Sequence, residues 1–297
     1  MTLTMTIVGP WGVWQCADHR LIWIERGTVT DREDFSVKHV AVRSPDGVAL
    51  ITYSGIGALG RKLHVSDWLR ELVRGENRRT VDGTLIRIRE AATSDLARPA
   101  KAHGVVHWFV VGAFLQRRPW WAAITNQPGP PGSPILDHFE TIAEPADNPP
   151  RRLIAGKGME AISAEDWALL DRIKNRRPKR PEDYARVLAD IHRRAKQSRH
   201  PARHAISEGC VTAYMPPIGA DFKEGTGLQV LPHWHTPESE ELLPPAPFVL
   251  FGIDMTETAK VLIQRMRAMQ AGQPLSDEEA NRLHDEALRR SIKPPRR

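Results

Sequence analysis

The fold prediction rests on two stretches near the start of the chain, Thr2-Leu-Thr-Met-Thr-Ile-Val-Gly9 and Ala17-Asp18-His19-Arg20. The first is rich in β-branched and apolar residues and is followed by a Gly-Pro turn, which predicts a strand over residues 2–8. A second run of this kind predicts a strand over residues 13–17. Asp18 therefore stands at the end of the second predicted strand.

Working outward from these strands, periodicity predicts runs of strands followed by pairs of helices. Predicted strands cover a hairpin from residue 21 to about 40, then residues 48–53, 105–114, 120–124 and 210–215. Predicted helices cover residues 58–73 and 81–96, a helix starting at Ser163 and a helix opened by Pro181, whereas the proline-rich residues 127–152 are predicted to be loop. This grouping favours an α+β fold with antiparallel sheets covered by helix pairs, because a parallel sheet would alternate strand and helix strictly.

The amino-acid composition changes after about residue 216. A Pro- and Glu-rich segment is followed by a predicted strand over residues 248–253 and by predicted helices over residues 255–271 and 276–291. We therefore divide the chain into a main domain, residues 2–216, and a C-terminal extension, residues 217–297.

Composition excludes several classes of protein. With 297 residues, 41% of them hydrophobic and 26% charged, the chain is neither collagen-like, coiled-coil nor wholly disordered. No apolar run approaches the roughly 18 residues of a membrane-spanning helix, and the N-terminus lacks a signal-peptide pattern, so we expect a soluble, cytoplasmic protein without a membrane partner. Two cysteines cannot form a disulfide framework.

The net charge of +6 gathers in a few short basic segments. Solvated helix ends and a loose tail explain these segments better than a nucleic-acid site, because no zinc-finger, RNP or helix-turn-helix pattern accompanies them. Nucleic-acid binding is therefore the weakest of the functional hypotheses. A metal site at His233-Trp-His235 is also disfavoured, since two alternate histidines without a nearby third ligand are more often surface residues. We predict no metal and no cofactor.

Thr2 carries the distinctive chemistry. Because threonine is small, Met1 is expected to be removed, and the chain would then begin with a hydroxyl nucleophile and a free α-amine on one residue. An α-amine with a pKa near 8 can accept the hydroxyl proton directly or through water.

With Thr2, the Val8-Gly9 step and Ala17-Asp18-His19-Arg20, the sequence resembles the proteasome β-subunit family of N-terminal nucleophile (Ntn) hydrolases, including their bacterial homologues. Counted back from Asp18, Thr2 falls where the family keeps its nucleophile. Lys38-His-Val-Ala-Val42 resembles the strand that bears the family's catalytic lysine. The resemblance implies that Lys38 lowers the pKa of the hydroxyl and that Asp18 holds the lysine, although a purely structural ion pair is the alternative.

The resemblance assigns three further residues. Tyr53-Ser-Gly-Ile-Gly57 is similar to the family step that precedes its first helix, so Gly55 would supply the oxyanion-hole N–H, where a side chain would obstruct a substrate carbonyl. Tyr53 would line the primary substrate pocket and favour small side chains there. Arg203-His-Ala-Ile-Ser-Glu-Gly209 is similar to the step supporting the α-amine, which gives Ser207 that role, with helix-end capping as the alternative.

Two positions depart from the family pattern. Lys157, in Ile154-Ala-Gly-Lys-Gly-Met159, stands where the family has a serine, and His204 stands where it has an aspartate. These changes alter the groups expected to support the Thr2 α-amine but leave Thr2, Asp18 and Lys38 in place.

The resemblance covers residues 2–216 and implies a four-layer αββα sandwich (the Ntn-hydrolase fold), with the C-terminal helical extension added to it. It also implies a homo-oligomeric ring, a peptide or protein substrate and an ATP-dependent unfoldase as a possible partner. The leading hypothesis is a threonine-type amidohydrolase or peptidase that works through an acyl-enzyme ester. The alternative is a catalytically weak or inactive proteasome-like assembly scaffold.

Overall fold

Three sheets and seven α-helices make up the described part of the computed structural model, a mixed α+β structure. The structure describes residues 2–33, 37–60, 63–75, 79–130, 132–147, 149–217, 248–250 and 252–292. The strands are β1 Thr4–Gly9, β2 Gly12–Asp18, β3 Arg20–Glu25, β4 Thr28–Glu33, β5 Val40–Ser44, β6 Gly47–Ser54, β7 Ile56–Leu59, β8 Leu63–His64, β9 Trp108–Leu115, β10 Arg118–Thr125, β11 Glu140–Pro145, β12 Arg151–Ala155, β13 Cys210–Met215, β14 Phe248–Leu250 and β15 Ile253–Asp254. The helices are α1 Val65–Val73, α2 Val81–Asp95, α3 Ala97–Ala102, α4 Ala164–Lys174, α5 Pro181–Gln197, α6 Met255–Gln270 and α7 Asp277–Ile292.

The first sheet has the order β12-β1-β2-β13 with antiparallel neighbours throughout. Helix α4 contacts β1 and β12, while α5 contacts β2 and β13. The helix predicted from Pro181 onward packs here, with Leu188 and Ile191 buried against Trp14 and its neighbours. Trp14 Nε1 also donates to the carbonyl oxygen of Pro181 at 3.0 Å, which ties the start of α5 to the sheet.

The second sheet has the order β11-β10-β9-β6-β5-β14-β15. Helix α2 contacts β5, β6, β10 and β11, and α1 contacts β5 and β7. Between the first and second sheets lies an apolar cluster that includes Val8, Val13, Leu50 and Phe114. Gly112 lets the sheets approach here, because a Cβ at that position would lie 2.3 Å from the side chain of Val13. The third sheet has the order β4-β3-β7-β8.

Several sequence predictions are confirmed. The first two strands, the helix at residues 81–96 and the strand at 210–215 are present, as β1, β2, α2 and β13. Ser163 caps α4 by accepting from Asp166 N at 3.1 Å, as the start signal predicts. Both helices of the extension are also present, as α6 and α7.

The predicted helix over residues 58–73 is wrong in its first half. The helix begins at Val65, and the preceding residues form β7 and β8. Leu59 and Leu63 match a helical spacing, but Gly60, which lies between them, has φ +55°. This left-handed conformation cannot continue a right-handed α-helix. Residues 56–58 are buried, and β7 pairs in parallel with β3.

The predicted loop over residues 127–152 is also wrong, because it contains β11 and the start of β12. The prolines that indicated a loop flank these strands, and Pro145 is the last residue of β11, an edge strand where a missing N–H is tolerated.

The predicted strand of the extension, residues 248–253, is divided into β14 and β15. β14 pairs in parallel with β5, with Phe248 opposite Ala41, so it continues the second sheet. A hydrogen bond from Gly75 N to Gly252 O, 2.8 Å long, ties the same segment to the end of α1.

Candidate active site

The structure brings Thr2, Asp18 and Lys38 together at one end of the first sheet. Thr2 lies just before β1 and Asp18 ends β2, and a hydrogen bond from Asp18 N to Leu3 O, 3.2 Å long, continues the β1–β2 ladder beside them. Lys38, two residues before β5, reaches both: its Nζ lies 2.6 Å from Thr2 Oγ1 and 2.6 Å from Asp18 Oδ1. Thr2 Oγ1 also donates to Asp18 Oδ1.

Lys38 is fully engaged in this site. Its Nζ also donates to the carbonyl oxygen of Arg20 at 2.6 Å, so three acceptors match the three N–H bonds of an ammonium group. The Lys38 and Asp18 side chains are 1% and 0% exposed. Burial lowers the pKa of Lys38 from its usual value, while the Asp18 charge and hydrogen bond act in the opposite direction. A cation held this way stabilises negative charge that develops on Thr2 Oγ1.

Ser207 supports the far side of Asp18. Its backbone N–H donates to Asp18 Oδ2 at 3.3 Å, and its Oγ accepts from His19 N at 2.9 Å. The hydroxyl in turn donates to Gly209 O at 2.6 Å. These bonds fasten the segment after the 3-10 helix Pro201–Ala205 to the end of β2, so Ser207 acts on the site through Asp18 and His19.

Gly55 lies at the turn between β6 and β7 with φ +113°, a conformation that side chains rarely adopt. A Cβ there would lie 2.7 Å from Val106 O and 2.9 Å from His107 Cα. Close packing against residues 106 and 107 therefore requires glycine here, independently of the open path for a substrate carbonyl that the sequence predicts. Tyr53 is fully buried, and its hydroxyl shares a 2.7 Å hydrogen bond with Ser66 Oγ.

The Gly-Lys-Gly turn holds the Thr2 backbone. A Cβ on Gly156, which has φ +98°, would lie 2.0 Å from Thr2 O and 2.8 Å from Ser54 Oγ. Gly158 N donates to Thr2 O at 3.2 Å. This turn therefore places the end of β6, one residue before Gly55, beside Thr2. Sequence reasoning noted the motif only for Lys157 and missed the role of its glycines.

The two residues that depart from the family pattern lie on the surface. The side chains of Lys157 and His204 are exposed. His204 makes a contact with Arg203 Nε, 3.5 Å from its Nε2.

Sequence reasoning also missed two buried histidines near the site. Burial, followed by the charge of Lys38, lowers the pKa of His39 and of His107 to about 3, so both imidazoles are neutral at physiological pH. His107 Nδ1 accepts from Ile56 N at 3.0 Å. A single histidine in an apolar run has no local sequence pattern that would predict its burial or its hydrogen bond to a distant turn.

Within the described ranges, His, Cys, Asp and Glu form no group of three or more suited to a metal ion. His233 and His235 lie outside those residues. Cys16 and Cys210 are buried free thiols. None of the helices in the described part of the chain is long and apolar enough to cross a membrane.

No protein-family model matches the chain, and no curated protein matches its sequence. Among solved structures, the chain is similar to Anbu (ancestral beta-subunit) from Yersinia bercovieri, with a TM-score of 0.42 and 8% sequence identity, over 72% of this chain and 80% of that one.

Proposed function

We propose that this protein is a threonine-type amidohydrolase or peptidase that uses Thr2 as its nucleophile once Met1 has been removed. One observation carries the proposal: a buried Lys38 Nζ lies 2.6 Å from Thr2 Oγ1 and 2.6 Å from the carboxylate of Asp18. A buried lysine is costly unless it is paired, and here the pair also contacts a hydroxyl beside a potential α-amine.

In the proposed reaction, Thr2 Oγ1 attacks the carbonyl carbon of an amide while the Thr2 α-amine accepts the hydroxyl proton. Lys38, held by Asp18, lowers the pKa of the Thr2 hydroxyl, and the Gly55 N–H stabilises the tetrahedral oxyanion. Collapse breaks the C–N bond, and the α-amine returns the proton to the leaving amine. Water then attacks the resulting ester, with the same amine as base, and releases the acid and free Thr2.

Ser207 and Asp18 have positioning roles in this proposal. The Ser207 N–H fixes one oxygen of Asp18 while the other binds Lys38. Thr2 is 1% exposed, and the proposed reaction needs its α-amine, which is free only once Met1 has been removed. Tyr53, buried on β6 before Gly55, is proposed to form the inner wall of the primary pocket.

The assembly is part of the proposal. A four-layer αββα arrangement of residues 2–216 is supported by the apolar cluster between the first and second sheets, by the contacts of α4 and α5 with the first sheet and by the contacts of α1 and α2 with the second. We propose a homo-oligomeric ring acting on peptide or protein substrates, with an ATP-dependent unfoldase as the possible partner. Residues 217–297 form the extension, which contributes β14 to the sheet beside β5.

The test is the intact mass of the purified protein before and after treatment with a peptide epoxyketone, whose ring adduct needs both the hydroxyl and the α-amine. We expect a chain without Met1 that gains one inhibitor mass. Thr2→Val, which keeps the shape but lacks the hydroxyl, should gain none, whereas Thr6→Val, the same change at a buried threonine within β1, should still react.

The assembly scaffold is the second candidate, favoured by the exposed Lys157 and His204 at two positions of the family pattern. A chain that keeps Met1, or that loses it without reacting, would contradict the hydrolase and support the scaffold. In that case Thr2→Val should leave the oligomeric state unchanged.

A further inference from the structure

We propose that His107 is a positioning residue that fixes the turn at Gly55, and so aims the oxyanion-stabilising N–H. The inference rests on the proposed hydrolase function, which it deepens. His107 precedes β9, on a different part of the chain from every residue that the sequence analysis placed in the site.

The first observation is the hydrogen bond from Ile56 N to His107 Nδ1, 3.0 Å long. A backbone N–H can only donate, so Nδ1 is the acceptor and the neutral ring carries its proton on Nε2. The bond fixes the plane of the Gly55–Ile56 peptide. The preceding peptide, which bears the Gly55 N–H, is linked to that plane only by the φ and ψ angles of Gly55.

The second observation is that Gly55, as a glycine, does not restrict its own backbone angles. Glycine populates a wide range of φ, and its φ of +113° must be imposed by its surroundings. The neighbouring atoms impose it: a Cβ on Gly55 would lie 2.7 Å from Val106 O and 3.0 Å from His107 Nδ1. The residue 106–107 segment therefore forms the wall against which the turn is held.

The third observation is that His107 is itself held firmly. Asn126, completely buried at the end of β10, accepts from His107 N at 2.8 Å and donates to Val105 O at 3.1 Å. The His107 ring packs on Phe109, with 4.5 Å between ring centroids, and is nearly parallel to Tyr53 at 5.9 Å. A fixed backbone and a fixed ring give the Nδ1 acceptor a defined position.

The ring remains an acceptor throughout the range in which an N-terminal amine can act as a base. Burial lowers the pKa of His107 to about 3, so the imidazole does not become a cation at neutral pH. Within the described residues, Nε2 has no hydrogen-bond partner, which leaves the Ile56 bond as the polar contact of the ring. Among the described residues, the ring therefore forms a hydrogen bond with the turn at Ile56 and with no other group.

The experiment compares His107→Phe with His107→Asn. Phenylalanine keeps an aromatic ring without the acceptor, whereas the Asn side-chain oxygen can occupy the place of Nδ1. We measure the maximal inactivation rate and the half-saturating concentration of the epoxyketone on the full chain. His107→Phe should lower the maximal rate at least tenfold with the half-saturating concentration nearly unchanged, because loss of an oxyanion donor typically costs about 10²–10³ in rate. His107→Asn should stay within about threefold of the parent protein.

Val111→Ala is the matched control, since it removes buried volume from β9, the strand that follows His107, at a residue that pairs with Ile51 and not with Gly55. Hydrogen exchange at the Ile56 amide supplies a second readout that needs no activity. Protection should be lost in His107→Phe and kept in His107→Asn and Val111→Ala. The proposal is overturned if His107→Phe reacts like the parent protein, or if Val111→Ala slows the reaction as much. If the parent protein does not react at all, the hydrolase function fails, while the exchange data still decide whether His107 holds the turn.

Discussion

Replacement of Asp18 by Asn tests the buried ion pair at the centre of the site. The carboxylate lies 2.6 Å from Lys38 Nζ, and the two side chains are 0% and 1% exposed. An exposed pair would contribute less than about 1 kcal/mol, but removing one partner of a buried pair leaves an uncompensated charge and costs about 3–5 kcal/mol. We expect Asp18→Asn to lower the free energy of unfolding at pH 7 by that amount, a large part of the roughly 5–15 kcal/mol of a typical domain.

Three comparisons assign this loss to the pair. Lys38→Met removes the cation and keeps the length of the side chain. In the double variant neither charge is left, so its loss should be smaller than the sum of the single losses by about 2–3 kcal/mol. Asp190→Asn, which breaks an exposed contact with Arg193 at 2.6 Å, should cost less than about 1 kcal/mol.

The assay is urea unfolding followed by circular dichroism, with losses taken from the shift in midpoint at constant slope. An Asp18→Asn loss below about 1 kcal/mol would refute the reasoning. So would strictly additive losses in the double variant, because they would mean that the two charges do not depend on each other in the folded chain.

Two more predictions concern the glycine turn and the buried imidazoles. Gly156→Ala, whose Cβ would lie 2.0 Å from Thr2 O, should cost about 2–4 kcal/mol and abolish epoxyketone labelling. Gly104→Ala, where φ is also positive (+63°) but the space around the Cβ is open, should cost about 1 kcal/mol and label normally. Equal losses in urea unfolding would contradict the steric argument. The folded-state pKa of about 3 for His39 and His107 lies below the unfolded value of 6.5, so their contribution to stability is complete above pH 6.5 and is lost as the pH falls toward 3. Between about pH 6 and 4, each imidazole should lower the free energy of unfolding by about 1.4 kcal/mol per pH unit. His39→Leu should reduce the total slope by about 1.4 kcal/mol per pH unit, which is what one imidazole contributes. An unchanged slope in pH-dependent urea unfolding would contradict the assignment.

Sequence reasoning reached the parts of the fold that are governed by local rules. The helix opened by Pro181 and the cap at Ser163 each depend on a single stretch of sequence, so local patterns are enough to predict them. The meeting of Thr2 with Asp18 also follows from neighbouring elements, because an antiparallel β1–β2 ladder that pairs Thr4 with Ala17 brings residues 2 and 18 to the same end. Lys38 required the family resemblance, since nothing in its local sequence indicates which strand end it reaches.

The features that were missed depend on contacts between distant segments. Leu59 and Leu63 satisfy a helical period, yet β7 instead pairs with β3, and no local pattern reports that pairing. The sequence singles out Gly55 for the oxyanion hole, which stays a prediction, whereas its close packing against Val106 and His107 becomes visible only when β6 and β9 are side by side. Likewise, the importance of Gly156 depends on the position of the Thr2 carbonyl, which lies at the other end of the sequence.

The parallel pairing of β14 with β5 has a consequence for the order in which the molecule can be completed during synthesis. β5 begins two residues after Lys38, and its pairing partner on one side is made roughly 200 residues later. Because a ribosome delivers the chain from its N-terminus, β5 cannot form the pairing with β14 that the described residues show until residues 248–250 emerge, and an unpaired strand edge can pair with other nascent chains. A stop codon anywhere between residue 217 and β14 would leave every proposed catalytic residue encoded. The released protein would nevertheless lack β14, the strand that pairs with β5 two residues after Lys38.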